Sequence, residues 1–209
     1  GYTGFCLTVD TQTYSRRERD IAKGFVPPSG SRVDNADFGY QARITWETVA
    51  HIKSEFDIPL FIKGVNAGED ARRCVEAGVD VVWVSNHGGR QLDHTRACID
   101  ALPEVAGAVG GRAPIIVDGG FLRGADVVKG LCLGADLVAM GRLEGLAMAA
   151  GGAAALVRAL TIIEQEIRTS MALLGVSELG GLGPELLERA QPMVTPHVLS
   201  AFPLLDEGY

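Results

Sequence analysis

Short apolar runs recur along the chain, and each stops at a polar residue or a glycine. FCLTVD (5–10), IPLFIKGV (58–65), VDVVWVSN (79–86), APIIVDGG (113–120) and ADLVAMGR (135–142) share this form, so they read as about five buried strands. Between them the spacing becomes helical. AGEDARRCVEAG (67–78) carries acids in its first turn and Gly78 as a stop, the arrangement that a helix dipole favours. ALPEVAGAVGG (101–111) and RGADVVKGLCLG (123–134) are shorter examples, and residues 143–175 form one long helix, or two with a break near Gly151–Gly152. Near-continuous apolar strands alternating with helices predict a parallel sheet covered by helices, an α/β architecture. The segment 24–45 is polar and punctuated by Pro27, Pro28, Gly30 and Asn35, which predicts a long surface loop of the mobile kind. The stretch 192–209, with Pro196 and Pro203, reads as a tail that wraps or frays.

Composition narrows this picture. The 209 residues are 47% hydrophobic and 22% charged, enough apolar material for one sizeable core. A formal charge of −7 argues against nucleic acid or an anionic membrane surface as the main partner. Cys6, Cys74, Cys98 and Cys132 have neither metal-ligand spacing nor a CxxC pair. They read as reduced thiols packing as small hydrophobes in a cytoplasmic protein. No membrane span is expected, because GLAMAAGGAAALV is broken by glycines and ends at Arg158.

The chemistry lies where the strands end. In parallel α/β folds the side chains at the carboxyl ends of strands face the ligand site. Those ends deliver Thr8 and Asp10, then Lys63, then Ser85 and His87 with Arg90, then Asp118–Gly119–Gly120, then Gly141–Arg142. Singly, each has a bland explanation as turn chemistry, a cap or a solvated side chain. Five in register are harder to dismiss. DGG and GR each precede a helical segment, and backbone N–H groups freed by glycine beside an arginine make an anion site. A phosphate there would set an attached ring among Lys63, Ser85 and His87.

SNHGGRQLD (85–93) resembles the signature of the FMN-dependent α-hydroxy acid dehydrogenases and oxidases. The similarity extends through LTVDT (7–11), SRRERDI (15–21), FIKGV (61–65), VDGGFLRGADVVK (117–129) and MGR (140–142), in the family's order. The resemblance implies a (β/α)₈ TIM barrel with FMN at its carboxyl face, and oxidation of a small L-2-hydroxy acid to the 2-oxo acid. By that resemblance His87 is the base that takes a proton from the substrate, and Asp10 holds and charges it. Arg17 and Arg90 grip the substrate carboxylate. Lys63 lies by the flavin N1–C2 carbonyl edge, Thr8 and Ser85 contact the ring, and Asp118, Gly119, Gly120, Gly141 and Arg142 cradle the ribityl and phosphate groups. The residue types suit the tasks: a guanidinium fork meets a carboxylate with two parallel hydrogen bonds, and imidazole titrates near neutral pH.

Two departures stand out. Leu122 occupies the place of a family arginine, so either Arg142 and backbone N–H groups hold the phosphate, or Arg123 reaches round to help. The similarity also begins at what would be the fourth strand of eight. The expectation is therefore an incomplete barrel, about strands 4–8 over residues 1–191, to be completed by a missing amino-terminal part and tetrameric when whole. Two other readings stay open. One is another phosphate-binding barrel, of the type 2 isopentenyl diphosphate isomerase or IMP dehydrogenase kind. The other is a folded remnant that keeps an anion site without turnover.

Overall fold

A computed structural model describes residues 1–12, 22–24, 42–92 and 94–190. Five parallel strands, β1 (Phe5–Thr8), β2 (Leu60–Val65), β3 (Val81–Val84), β4 (Ile115–Val117) and β5 (Leu137–Val138), lie side by side in chain order. That order is the winding of a barrel wall. A doubly wound sheet would reverse direction part-way across. The helices α1 (Trp46–Glu55), α2 (Gly68–Glu76), α3 (Cys98–Val109), α4 (Gly124–Cys132) and α5 (Arg142–Leu174) provide the crossovers and the cover.

Strand alternation decides the two faces. Leu60, Ile62, Val82, Val84, Ile115 and Val117 are buried beneath the helices, together with Leu102, Val105 and Val109 of α3. The register pairs Thr8 with Lys63, Lys63 with Trp83, Trp83 with Ile116 and Ile116 with Leu137. These five form one row across the opposite, concave-side face. Leu137 on that row is 53% exposed, so the face is apolar and open at the β5 side.

Helix α1 has no counterpart among the elements read from the sequence. Its signal is local and was legible: Thr45 precedes Trp46, and the Thr48 hydroxyl accepts the Thr45 N–H at 3.2 Å, a variant of the capping box. The Arg73 guanidinium stacks on the Trp46 ring, 4.5 Å from its centre, and fastens α1 to α2. Strand β5 is shorter than ADLVAMGR suggested, because only Leu137 and Val138 join the ladder. The expected loop 24–45 and tail 192–209 fall mostly or wholly outside the described residues.

The expectation of no membrane-spanning run needs correcting on length and composition, since α5 meets both criteria. Gly151 and Gly152 do leave helical geometry, at φ −171° and +61°, and divide α5 into two arms. The second arm packs on α4 so closely that a Cβ on Gly124 would lie 2.4 Å from the Glu166 Cβ.

One device repeats at the amino ends of the strands. Asp80, just before β3, accepts the Leu60 N–H of β2 at 2.7 Å, and its own N–H donates to the Leu60 carbonyl at 3.0 Å. Asp136, just before β5, does the same for Ile115 of β4 at 2.7 and 2.8 Å. The Leu60 N–H, then the Lys53 ammonium 2.7 Å away, hold the Asp80 carboxyl below its usual range. A depressed carboxyl stabilises the fold above its unfolded value of about 3.9, and that contribution disappears as pH falls through the lower folded value. Urea midpoints measured below about pH 5 should therefore fall with acid in the wild type and fall less steeply in Asp80→Asn. Parallel curves would remove Asp80 from the acid response.

Candidate active site

At the carboxyl ends of the strands one hydroxyl gathers three neighbours. Ser85, 1% exposed, sits just beyond β3. Its Oγ accepts the Lys63 ammonium of β2 at 3.0 Å and the His87 N–H at 3.1 Å, and donates to Asp118 Oδ1 after β4 at 2.8 Å. Lys63 also lies 3.6 Å from Asp118 Oδ2. The serine thus uses its donor and both acceptor sites, which a buried hydroxyl requires.

His87 follows in a left-handed conformation, φ +57°, uncommon for a residue with a Cβ. A short 3₁₀ turn, His87–Gly89, holds it there: Gly89 N–H donates to the Asn86 side-chain oxygen at 3.1 Å. Gly88 within the turn has φ +68°, and a Cβ there would lie 2.9 Å from the Arg142 guanidinium. Arg142 itself donates to the Gly88 carbonyl at 3.0 Å, so the strand-end GR and the histidine turn are tied together.

The imidazole points at β1. His87 Nδ1 is 3.1 Å from Asp10 Oδ1. Gly64 makes this approach possible. It lies at a register shift at the end of β2 with φ +110°, and a Cβ there would sit 2.7 Å from the Asp10 Cβ. A carboxylate against Nδ1 fixes the N–H on that nitrogen and leaves Nε2 as the proton acceptor. Beside the pair opens a cavity of about 400 Å³, lined in part by Asp10, Gly64, Asn66, Gln91 and Trp46. Asp10 Oδ2 and Asn66 Oδ1 are buried without a hydrogen-bond partner among the described residues.

The structure therefore brings together Thr8, Asp10, Lys63, Ser85, His87, Asp118 and Arg142 of the residues expected from sequence. Gly119 and Gly120, at φ +99° and +89°, turn the chain after β4, and Gly141 precedes α5. Arg90 is exposed, three residues beyond His87. Arg17 lies outside the described residues. Sequence reasoning missed Gly64, Asn86 and Trp83. Trp83 shares the row with Lys63, whose ammonium is 5.6 Å from its ring centre, and its Nε1–H is buried without a partner among the described residues. Cys98 lies under Gly119, where burial pushes its thiol up to about 11, so it packs and does not attack.

The donor set suits an anionic, acceptor-rich planar group. Lys63, above the Trp83 ring, borders the open face, and Arg142 stands at the start of α5. A Cβ added at Gly120 or Gly141 would meet no atom within 4 Å, so both backbones border open space.

Comparison with known proteins decides the family. The profile of the FMN-dependent dehydrogenases matches residues 1–189. The chain belongs to that family. It is 38% identical to an L-lactate oxidase from Nostoc sp., over 90% of this chain and 57% of that protein. It is 40% identical to the peroxisomal (S)-2-hydroxy-acid oxidase GLO4 of Oryza sativa subsp. japonica, over 86% and 54%. A crystal structure of mandelate oxidase with 3,3-difluoro-2-hydroxy-3-phenylpropionic acid superposes with a TM-score of 0.78 at 38% identity, covering 87% of this chain and 54% of that one. The barrel reading is thus shown, and the chain spans about half the length of the curated relatives it matches. FMN is the family's cofactor, and the residues just described fit its ring.

Removing the Ser85 hydroxyl strands the His87 N–H and leaves Lys63 and Asp118 without their shared partner. Ser85→Ala should cost about 1–3 kcal/mol, read as a lower urea midpoint at unchanged m-value. A shift within error of zero would mean that the three groups find other partners.

Proposed function

We propose that the protein oxidises a small L-2-hydroxy acid to the 2-oxo acid, with FMN as electron acceptor. The observation that carries this reading is the Asp10–His87 pair, which spans the end of β2 from β1 to β3, with Lys63 on the strand between them. Its closest support by analogy is the set of lactate, glycolate and mandelate oxidases among its relatives.

When bound, FMN supplies the two-electron acceptor. Everything else falls to the chain's own side chains. Arg90, with Arg17, would grip the substrate carboxylate and so fix the carbon that bears the hydroxyl. His87 Nε2 would take a proton from that substrate, and the Asp10 carboxylate would stabilise the resulting imidazolium across Nδ1. Thr8 and Ser85 would contact the ring. Lys63 would place positive charge where negative charge accumulates on the reduced ring. Asp118, Gly119, Gly120, Gly141 and Arg142 would hold the ribityl and phosphate end.

The open row Lys63–Trp83–Ile116–Leu137 also supports a barrel completed by further βα units between the β5 and β1 edges, because open apolar sheet edges invite pairing.

Anaerobic addition of glycolate, L-lactate or mandelate to the flavin-loaded protein should bleach the flavin absorbance. His87→Ala should slow bleaching by about 100-fold or more, while Arg90→Met should raise KM and lower kcat together. Loaded protein that none of the three acids bleaches, or a His87→Ala variant as fast as wild type, would contradict the reading.

A further inference from the structure

The phosphate end of the proposed cofactor site is short of positive charge. Among the described residues three cations stand near the DGG and GR strand ends, and two of them already face carboxylates. Lys63 is 3.6 Å from Asp118. Arg123, the candidate for reaching round, instead turns outward to α5: its Nε donates to Glu166 Oε1 at 2.7 Å. The alternative left open by the sequence is thereby decided against Arg123.

The start of α4 is closed in the same way. Its leading N–H groups would otherwise face an anion. Gly124, the first residue of α4, donates its N–H to Glu166 Oε2 at 2.6 Å, and just ahead of the helix Leu122 and Arg123 donate theirs to Asp126 Oδ2 at 3.2 and 3.0 Å. The Arg123 guanidinium, then the Gly124 N–H, hold the Glu166 carboxyl below its usual range, so it remains ionised and in place. Two carboxylates therefore take the N–H groups at this helix end, which is not left open to a phosphate.

Arg142 is left, and it spends one N–H on the Gly88 carbonyl at 3.0 Å. Glu144 adds another carboxylate in the first turn of α5. Leu122, two residues past Gly120 and 48% exposed, contributes apolar surface. A phosphate monoester carries about −1.5 to −2 charges at neutral pH, and among the described residues one guanidinium faces it.

We infer that Leu122 is a cofactor-selectivity residue: the chain takes its flavin by the ring and ribityl chain, with little preference for FMN over the unphosphorylated riboflavin. This rests on the flavin reading above. The ring contacts are the same for the two ligands, and the phosphate end supplies too little to separate them.

Titration of the chain with FMN and with riboflavin, followed by quenching of flavin fluorescence, tests this. Wild-type Kd values for the two should lie within about tenfold of each other. Leu122→Arg should tighten FMN by about tenfold or more, through a charge-assisted pair, and leave riboflavin unchanged. Leu122→Met should change neither. A wild-type preference for FMN beyond about 100-fold, or a Leu122→Arg variant that gains nothing on FMN, would overturn the inference while leaving the flavin reading intact. Binding of neither flavin to any variant would overturn both.

Discussion

The site is organised by one buried hydroxyl. Ser85 Oγ joins the ends of β2, β3 and β4 by accepting from Lys63 and His87 and donating to Asp118. Two side chains from neighbouring strands and the backbone N–H two residues on thus share a partner that leaves none of its own capacity unused. A buried polar group is stabilising only when fully paired, and this one is. The position of Lys63 and the direction of the histidine turn follow from it.

The two ends of the sheet use carboxylates for opposite purposes. At the amino ends, Asp80 and Asp136 pair with the backbone of the neighbouring strand and set the register. The Asp80 contact aligns Lys63 with Trp83, and the Asp136 contact aligns Ile116 with Leu137, in one row across the sheet. At the carboxyl ends Asp10 faces the imidazole, with Gly64 giving it room. Sequence neighbours that differ by one position in a strand point to opposite faces. A slip of one residue would bury Lys63 beneath the helices and undo the site.

Much of this was legible in the sequence. The ends of β1 to β4 were, because apolar runs of strand length stop there at residues with distinct chemistry, and the spacing of SNHGGRQLD compresses serine, histidine and arginine into one turn. The less legible parts are non-local. Arg123 reads as a plausible phosphate ligand until Glu166, 43 positions later, is seen to hold it. Gly64 looks like one glycine among 27 until the approach of Asp10 makes a Cβ impossible there. Helix α1 was missed although its start signal at Thr45 and Thr48 is local, because its apolar positions, Trp46, Val49 and Ile52, are few. Likewise β5 keeps only two residues in the ladder, with the Ala139 N–H still reaching the Val117 carbonyl.

The contact on which the proposed chemistry depends is the one between Asp10 and the His87 ring, and imidazole ¹⁵N chemical shifts report it directly, without cofactor or substrate. At a pH where the ring is neutral, His87 in the wild type should carry its proton on Nδ1, with Nε2 bare, and Asp10→Asn should move it toward the Nε2–H form that free imidazole side chains favour. A wild-type His87 already in the Nε2–H form, or a tautomer indifferent to Asp10→Asn, would show that the carboxylate does not orient the base.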